Sequence, residues 1–234
     1  MTVTGRAGLV IAVDGPSGSG KSSAARGAAR ALGLRYLDTG AMYRALTWWM
    51  LRAGIDIGDA AAVAANADRP AIEVSTDPDA PWVKVDGIDV TGPIRTREVT
   101  NAVSAVSAVP AVRARLAALQ RAIIAGAHAS GCGIVLEGRD IGTVVAPQAQ
   151  VKVFLTASET ARAERRAADM SADPAATFAL TRDELARRDR LDSTRALSPL
   201  LKAPDAVEID TTATGLDDVV ARIVDLARHP AVSA

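Results

Sequence analysis

The sequence predicts a three-layer α/β fold with a central parallel five-stranded sheet, and three observations carry that expectation. Short continuous apolar runs recur along the chain, each followed by helical periodicity, as buried parallel strands are. A glycine-rich turn joins the first run to its helix. Between residues 71 and 91 the pattern changes to strict apolar–polar alternation, which marks a small antiparallel sheet inserted into the larger fold. With 49% hydrophobic and 23% charged residues, the composition is that of a globule and not of a disordered chain. A length of 234 residues suits one such domain with insertions.

The elements follow in order. Leu9–Val13 reads as a strand buried on both faces, and Ser22–Leu32 as a helix ended by Gly33. Arg35–Leu37 is a short strand; Ala41–Ala53 is a helix closed by Gly54, and Ala60–Ala67 another. Ile72–Ser75, Trp82–Val85 and Ile88–Val90 alternate as half-exposed strands, with Asp86-Gly87 as a hairpin turn. Trp48 and Trp49 read as core or subdomain packing. Helical periodicity runs from Arg97 to Ala129 with a break near Pro110, where the missing N–H interrupts the ladder. Ile134–Leu136 and Val151–Leu155 are further buried strands. A helix over 158–168, a polar break at Ser171–Pro174, a helix to about Arg195, a strand at Ala206–Ile209 and a helix over Leu216–Ala227 complete the chain.

Composition also excludes classes. The formal net charge is zero, so nothing favours non-specific nucleic-acid or anionic-membrane binding. The single cysteine, Cys132, rules out an internal disulfide framework and a cysteine-based zinc site, and reads as a packed thiol. The apolar stretch Leu9–Val13 is too short for a secretory or membrane segment. A cytoplasmic protein is expected, and as no apolar stripe argues for a dimer, a monomer.

Gly15-Pro16-Ser17-Gly18-Ser19-Gly20-Lys21-Ser22-Ser23 holds the eight-position Walker pattern between a buried strand and a helix. Its glycines let backbone N–H groups turn onto an anion, and the helix adds its positive N-terminal end. Lys21 is placed for the β- and γ-phosphates of ATP, and the Ser22 hydroxyl for Mg²⁺. Such a loop also serves switches and motors, so the acceptor has to be found elsewhere; no Asn-Lys-x-Asp guanine reader is present.

Four more clusters are expected to converge on one site. Asp38-Thr39-Gly-Ala-Met-Tyr43-Arg44 starts at a strand's C-terminal end, where open α/β sheets bind ligands. A hydroxyl, a ring and a guanidinium there suit a nucleotide, although Tyr43 and Arg44 equally suit packing and a solvated charge. Glu137-Gly-Arg139-Asp140 leaves another strand at the same edge, and Arg139 suits bidentate phosphate binding. Arg162, Arg165 and Arg166 share a helical face, as do Arg188, Asp192 and Arg195. Each helical stripe has a plain alternative as a solvated or salt-bridged surface. Together they favour phosphoryl transfer, which needs cations to offset repulsion between two anionic partners. His128 and His229 have no acid or hydroxyl close in sequence and carry no catalytic expectation.

On these residues the sequence resembles the bacterial cytidylate kinases, which are P-loop nucleoside monophosphate kinases. The matching segments are Asp14–Lys21, Leu37–Arg44, Val90–Arg95, Glu137–Val145 and Arg188–Arg195, in the family's order over roughly residues 9–227. The resemblance implies transfer of the γ-phosphoryl group of ATP to CMP or dCMP with Mg²⁺. It implies a core (9–40, 108–157 and 176–228), an NMP-binding subdomain (about 41–107) and a lid (about 158–175). Ser104, Arg113 and Asp140 would recognise cytosine, with Thr39 nearby. Arg188 and Asp192 would hold the ribose, and Arg44, Arg139 and Arg195 the CMP phosphate. Lid arginines among Arg162, Arg165 and Arg166 would cover the transferring group. Glu137 and Thr39 stand where relatives often have Asp and Ser, each keeping the chemical group. A related kinase of UMP, shikimate or dephospho-coenzyme A, or a non-catalytic ATP-binding module, are the alternatives.

Overall fold

The computed structural model describes residues 8–170, 182, 185–187, 189–195 and 198–229, except for the side chains of residues 166, 169 and 170. A five-stranded sheet has the order β2-β6-β1-β7-β8, and a three-stranded sheet the order β3-β4-β5. These are the parallel sheet and the antiparallel insertion that the apolar periodicity predicts. The chain forms two compact units, one of residues 35–134 and one of residues 9–34 and 135–229.

The second unit holds β1 (Val10–Asp14), α1 (Lys21–Leu32), β6 (Ile134–Gly138), β7 (Val151–Thr156), α6 (Glu159–Met170), β8 (Val207–Asp210) and α7 (Leu216–Arg228). All five residues of β1 are buried, which is why that segment is an unbroken apolar run. β1 pairs in parallel with β7, Asp14 opposite Phe154, and β7 in parallel with β8. Gly33 ends α1 in the left-handed conformation, φ 65°, a position that glycine fills without strain. α1 packs on α7. After β6 the chain makes one turn of π-helix, Ile141–Val145. The sequence pattern gave no sign of that turn. Residues 185–187 and 189–193 are helical, whereas the expected break at 171–174 lies outside the described residues.

The first unit holds β2 (Arg35–Asp38), α2 (Thr39–Arg52), α3 (Ala60–Asn66), β3 (Ile72–Val74), β4 (Val83–Val85), β5 (Ile88–Asp89), α4 (Arg97–Ala108) and α5 (Pro110–Ala129). α2 starts at Thr39, two residues before the expected Ala41. Its N-cap explains the difference, because the Asp38 carboxylate accepts the Ala41 N–H at 2.9 Å. Asp86 and Gly87 both take positive φ, 50° and 78°, as a two-residue hairpin turn requires. Pro110 opens α5, and α4 and α5 meet at 97°. Of the two expectations for Trp48 and Trp49, packing within their own unit fits and full burial in the core does not. Each is half-buried and carries a guanidinium on its ring, Arg52 at 5.2 Å and Arg69 at 5.4 Å. Cys132 is likewise only half-buried. Among the described residues, no single helix is long and apolar enough to cross a membrane.

Candidate functional site

In the second unit, the C-terminal end of β1 runs directly into the phosphate loop. Gly15 has φ 144°, and a Cβ there would lie 2.1 Å from the Leu155 carbonyl oxygen. Only glycine lets the loop leave the sheet this close to β7. The turn closes on itself through the Ser19 hydroxyl, which donates to the Pro16 carbonyl at 3.0 Å. Lys21 Nζ donates to the same carbonyl at 2.5 Å and to Ser19 Oγ at 3.4 Å. The backbone N–H groups of the first turn of α1 face the loop with no side-chain cap on them, the arrangement of an anion site.

Lys21 is 6% exposed, and burial together with the neighbouring Arg139 charge lowers its pKa to about 7. Glu137, Asp14 and Asp189 pull the other way. An anion bound at the loop would join that second group and restore the ammonium. Ser22 Oγ donates to Glu137 Oε2 at 2.9 Å, and Ser22 is solvent-exposed. Two hard oxygen donors at an anion site fit Mg²⁺, which takes one or two protein oxygens and completes its shell with phosphate and water. No larger group of His, Cys, Asp and Glu is present among the described residues, and Mg²⁺ needs none.

Two carboxylates hold three arginines of this unit. Asp192, 5% exposed, accepts Arg139 Nε at 3.1 Å and lies 3.1 Å from Arg195 Nη2. It therefore holds one arginine from the end of β6 and one from its own segment. Asp189 accepts the Ser17 N–H at 3.3 Å and also pairs with Arg162, whose Nη1 donates to the Ser17 carbonyl at 3.1 Å. Arg162 is 6% exposed, and Arg165 Nη1 donates to Thr211 Oγ1 at 2.9 Å. The expected cationic face of α6 is thus not an open surface. Arg162 is packed against the phosphate loop, with its Cβ 3.0 Å from where a Gly18 Cβ would stand. Arg188 and the side chain of Arg166 lie outside the described residues. Asp140 is buried just after Arg139.

In the first unit, Thr39 is buried at the start of α2. Five residues on, Arg44 Nη1 donates to Thr100 Oγ1 at 2.8 Å and to the Ile94 carbonyl at 3.5 Å. The Arg113 guanidinium lies 5.5 Å from the centre of the Tyr43 ring and donates to the Ser107 carbonyl at 3.2 Å. Ser104 and Arg113 are both 8% exposed. A buried guanidinium on a ring, near buried hydroxyls, can offer planar donors to a flat polar ligand.

Sequence reading missed Asp189 and Thr100, and it gave Asp14 no role. Asp189 stands three residues before Asp192, on the same helical face, but its partners Ser17 and Arg162 lie far off in sequence, and no local pattern names them. Thr100 pairs with Arg44 across 56 residues, a relation no local pattern encodes. Against the expectation of no acid close in sequence, His229 lies 3.4 Å from Asp225, one helical turn earlier, but both are exposed; His128 is exposed as well.

Residues 11–229 match the cytidylate kinase family. The chain is 52% identical to a cytidylate kinase of Streptomyces griseus over 99% of its own length and 97% of that protein. It is 56% identical to one of Streptomyces coelicolor, covering 94% and 93%, and 50% identical to one of Mycobacterium leprae, covering 94% and 96%.

Proposed function

Starting from the fact that the chain belongs to the cytidylate kinase family, we propose that it transfers the γ-phosphoryl group of ATP to CMP, giving CDP and ADP. The observation that carries this reading is the phosphate loop with its buried Lys21, accompanied by arginines held on the carboxylates of Asp192 and Asp189. A UMP, shikimate or dephospho-coenzyme A kinase and a non-catalytic ATP-binding module are not favoured by matches over almost the whole chain.

The chemistry needs no protein nucleophile. An oxygen of the CMP phosphate attacks the γ-phosphorus as the bond to the β-phosphate oxygen breaks, and the electrons leave with ADP. The protein's part is to hold the two nucleotides in line and offset their charge. Gly15–Ser23 would hold the ATP phosphates, with Lys21 on the β- and γ-groups. Ser22 and Glu137 would hold Mg²⁺, which supplies charge neutralisation at the phosphates when bound. Arg44, Arg139 and Arg195 suit the CMP phosphate, and Arg188 with Asp192 the ribose. Arg162 and Arg166 suit the transferring group. Thr39, Tyr43, Ser104, Arg113 and Asp140 suit the base. A donor from Arg113 and an acceptor on Asp140 match cytosine's O2, N3 and amine; uracil reverses the pattern at N3 and O4 and leaves buried groups unpaired, at about 1–3 kcal/mol each.

An NMP-binding subdomain (about 41–107), a lid (about 158–175), dCMP as second acceptor, and monomeric action in cytoplasmic pyrimidine metabolism belong to the same reading. ADP release coupled to pyruvate kinase, with CMP, dCMP, UMP and AMP compared at equal concentration, tests it. Turnover with CMP and dCMP at least tenfold above UMP and AMP is expected; equal rates with UMP would refute cytosine recognition.

A further inference from the structure

Asp14 closes β1 and immediately precedes the phosphate loop, and none of the roles above uses it. Its side chain is 5% exposed. Oδ1 accepts the Ile141 N–H at 2.9 Å, and Oδ2 accepts the Gly142 N–H at 2.8 Å. These two amides open the π-helical turn directly after Arg139 and Asp140. One carboxylate gripping two successive amides fixes two peptide planes at once. The backbone it fixes is unusual, because Asp140 has φ −144° and ψ 26°, outside the helix and strand regions. Gly142 sits beside both Asp14 and Lys152: a Cβ there would stand 3.5 Å from Asp14 Oδ2 and 3.2 Å from Lys152 Cδ.

We propose that Asp14 is a positioning residue, which locks the Arg139–Asp140 backbone to the base of the phosphate loop so that the CMP-binding groups and Lys21 keep one frame. The proposal rests on the reading of Arg139 and Asp140 as CMP contacts. Ionised Asp14 offers both oxygens to the amides. Once protonated, it has an O–H where the second acceptor was, and one grip is lost. Burial and the Asp140 charge raise its pKa to about 6, against the two amides and Lys21. Lys152 is also packed here, and its Nζ binds the Asp205 carboxylate at 2.7 Å.

Asp14→Asn copies the protonated state, keeping one acceptor oxygen and presenting an NH₂ to the other amide. Steady-state kinetics at pH 7.5 should give a KM for CMP about tenfold higher, the size of one lost hydrogen bond. The KM for ATP should rise less than that for CMP, because Asp14 is only one of three carboxylates that favour the Lys21 ammonium. The wild-type-to-variant ratio of kcat/KM for CMP should then fall towards one as pH drops from 7.5 to 5. That ratio cancels the titration of the CMP phosphate itself, which falls in the same range. A pH-independent ratio, or equal losses for ATP and CMP, would reduce Asp14 to a general packing residue and overturn the proposal. Hydrogen exchange at Ile141 and Gly142 in the wild-type chain decides the matter if the variant does not fold. Protection, corrected for intrinsic rate, should drop about tenfold between pH 7.5 and 5 at these two amides, while the amides of β6 keep theirs. Unchanged protection there contradicts the lock. A wild-type chain inactive on CMP refutes the functional reading instead, and the exchange result then judges the lock alone.

Discussion

Lys21 is an ammonium group buried in a loop built for anions, and that burial loosens its proton. With its pKa near 7, the group is increasingly neutral as pH rises above that value. A bound triphosphate favours the charged form, so binding above pH 7 must take up a proton. ATP affinity should therefore fall as pH rises above 7, approaching tenfold per pH unit. Calorimetric titration in EDTA, run in buffers of different ionisation heat, reads both the slope and the proton. Affinity independent of pH up to 9 would contradict the assignment. Lys21→Met should abolish the slope and lower kcat by about 10²–10³ or more, as loss of a transition-state charge contact does. Asp192→Ala leaves Arg139 and Arg195 without their shared carboxylate. It should raise the KM for CMP about 10–100-fold and change ATP affinity little; a loss confined to ATP would misplace this cluster. At this scale the loop residues were legible because their motif is local. The carboxylates that aim Arg139 and Arg162 were half legible at best, because each partnership joins segments far apart in sequence.

Among the elements, those governed by local rules were legible, and those governed by contacts were not. Pro110 lacks an N–H, and the 97° turn between α4 and α5 falls there. Asp86-Gly87 names its own turn. The π-helical turn at 141–145 has no such signal: Ile141-Gly-Thr-Val-Val145 looks like strand, and the Asp14 carboxylate brought from β1 organises its first two amides. For Trp48 and Trp49 hydrophobicity suggested packing, but it gave no sign of the guanidinium partner on each ring. The contact of α1 with α7 permits a test that leaves the site alone. A Cβ on Gly27 would lie 2.6 Å from Val220 Cγ2, and a valine in a helix has little rotamer freedom to yield. Gly27→Ala should gain about 1 kcal/mol of helix propensity and lose about 1–3 kcal/mol to overpacking. The expected result is a net loss of stability in urea titration that Val220→Ala partly repairs, with kcat unchanged. A more stable single variant would show that the helices simply move apart.

For the whole chain, the fold class was legible because buried parallel strands must be apolar on both faces, and such runs recur at the right spacing. The strand order β2-β6-β1-β7-β8 was not, because pairing between distant strands leaves no periodicity behind. A net charge of zero likewise concealed how the charge is spent: arginines and carboxylates are concentrated around the loop and the β6 end. All of Gly15–Ser23 belongs to the unit of residues 9–34 and 135–229, so ATP should stabilise that unit first. At a hundred times its dissociation constant, ATP adds about 2.7 kcal/mol. Hydrogen exchange should show this as slowed exchange in β1, α1 and β7, and uniform slowing across both units would speak against local linkage. The central claim is tested most directly by product analysis. Incubated with ATP, Mg²⁺ and CMP, the protein should form CDP and ADP in equal amounts, with neither appearing when CMP is withheld. ADP accompanied by free phosphate and no CDP, or no turnover at all, would contradict it.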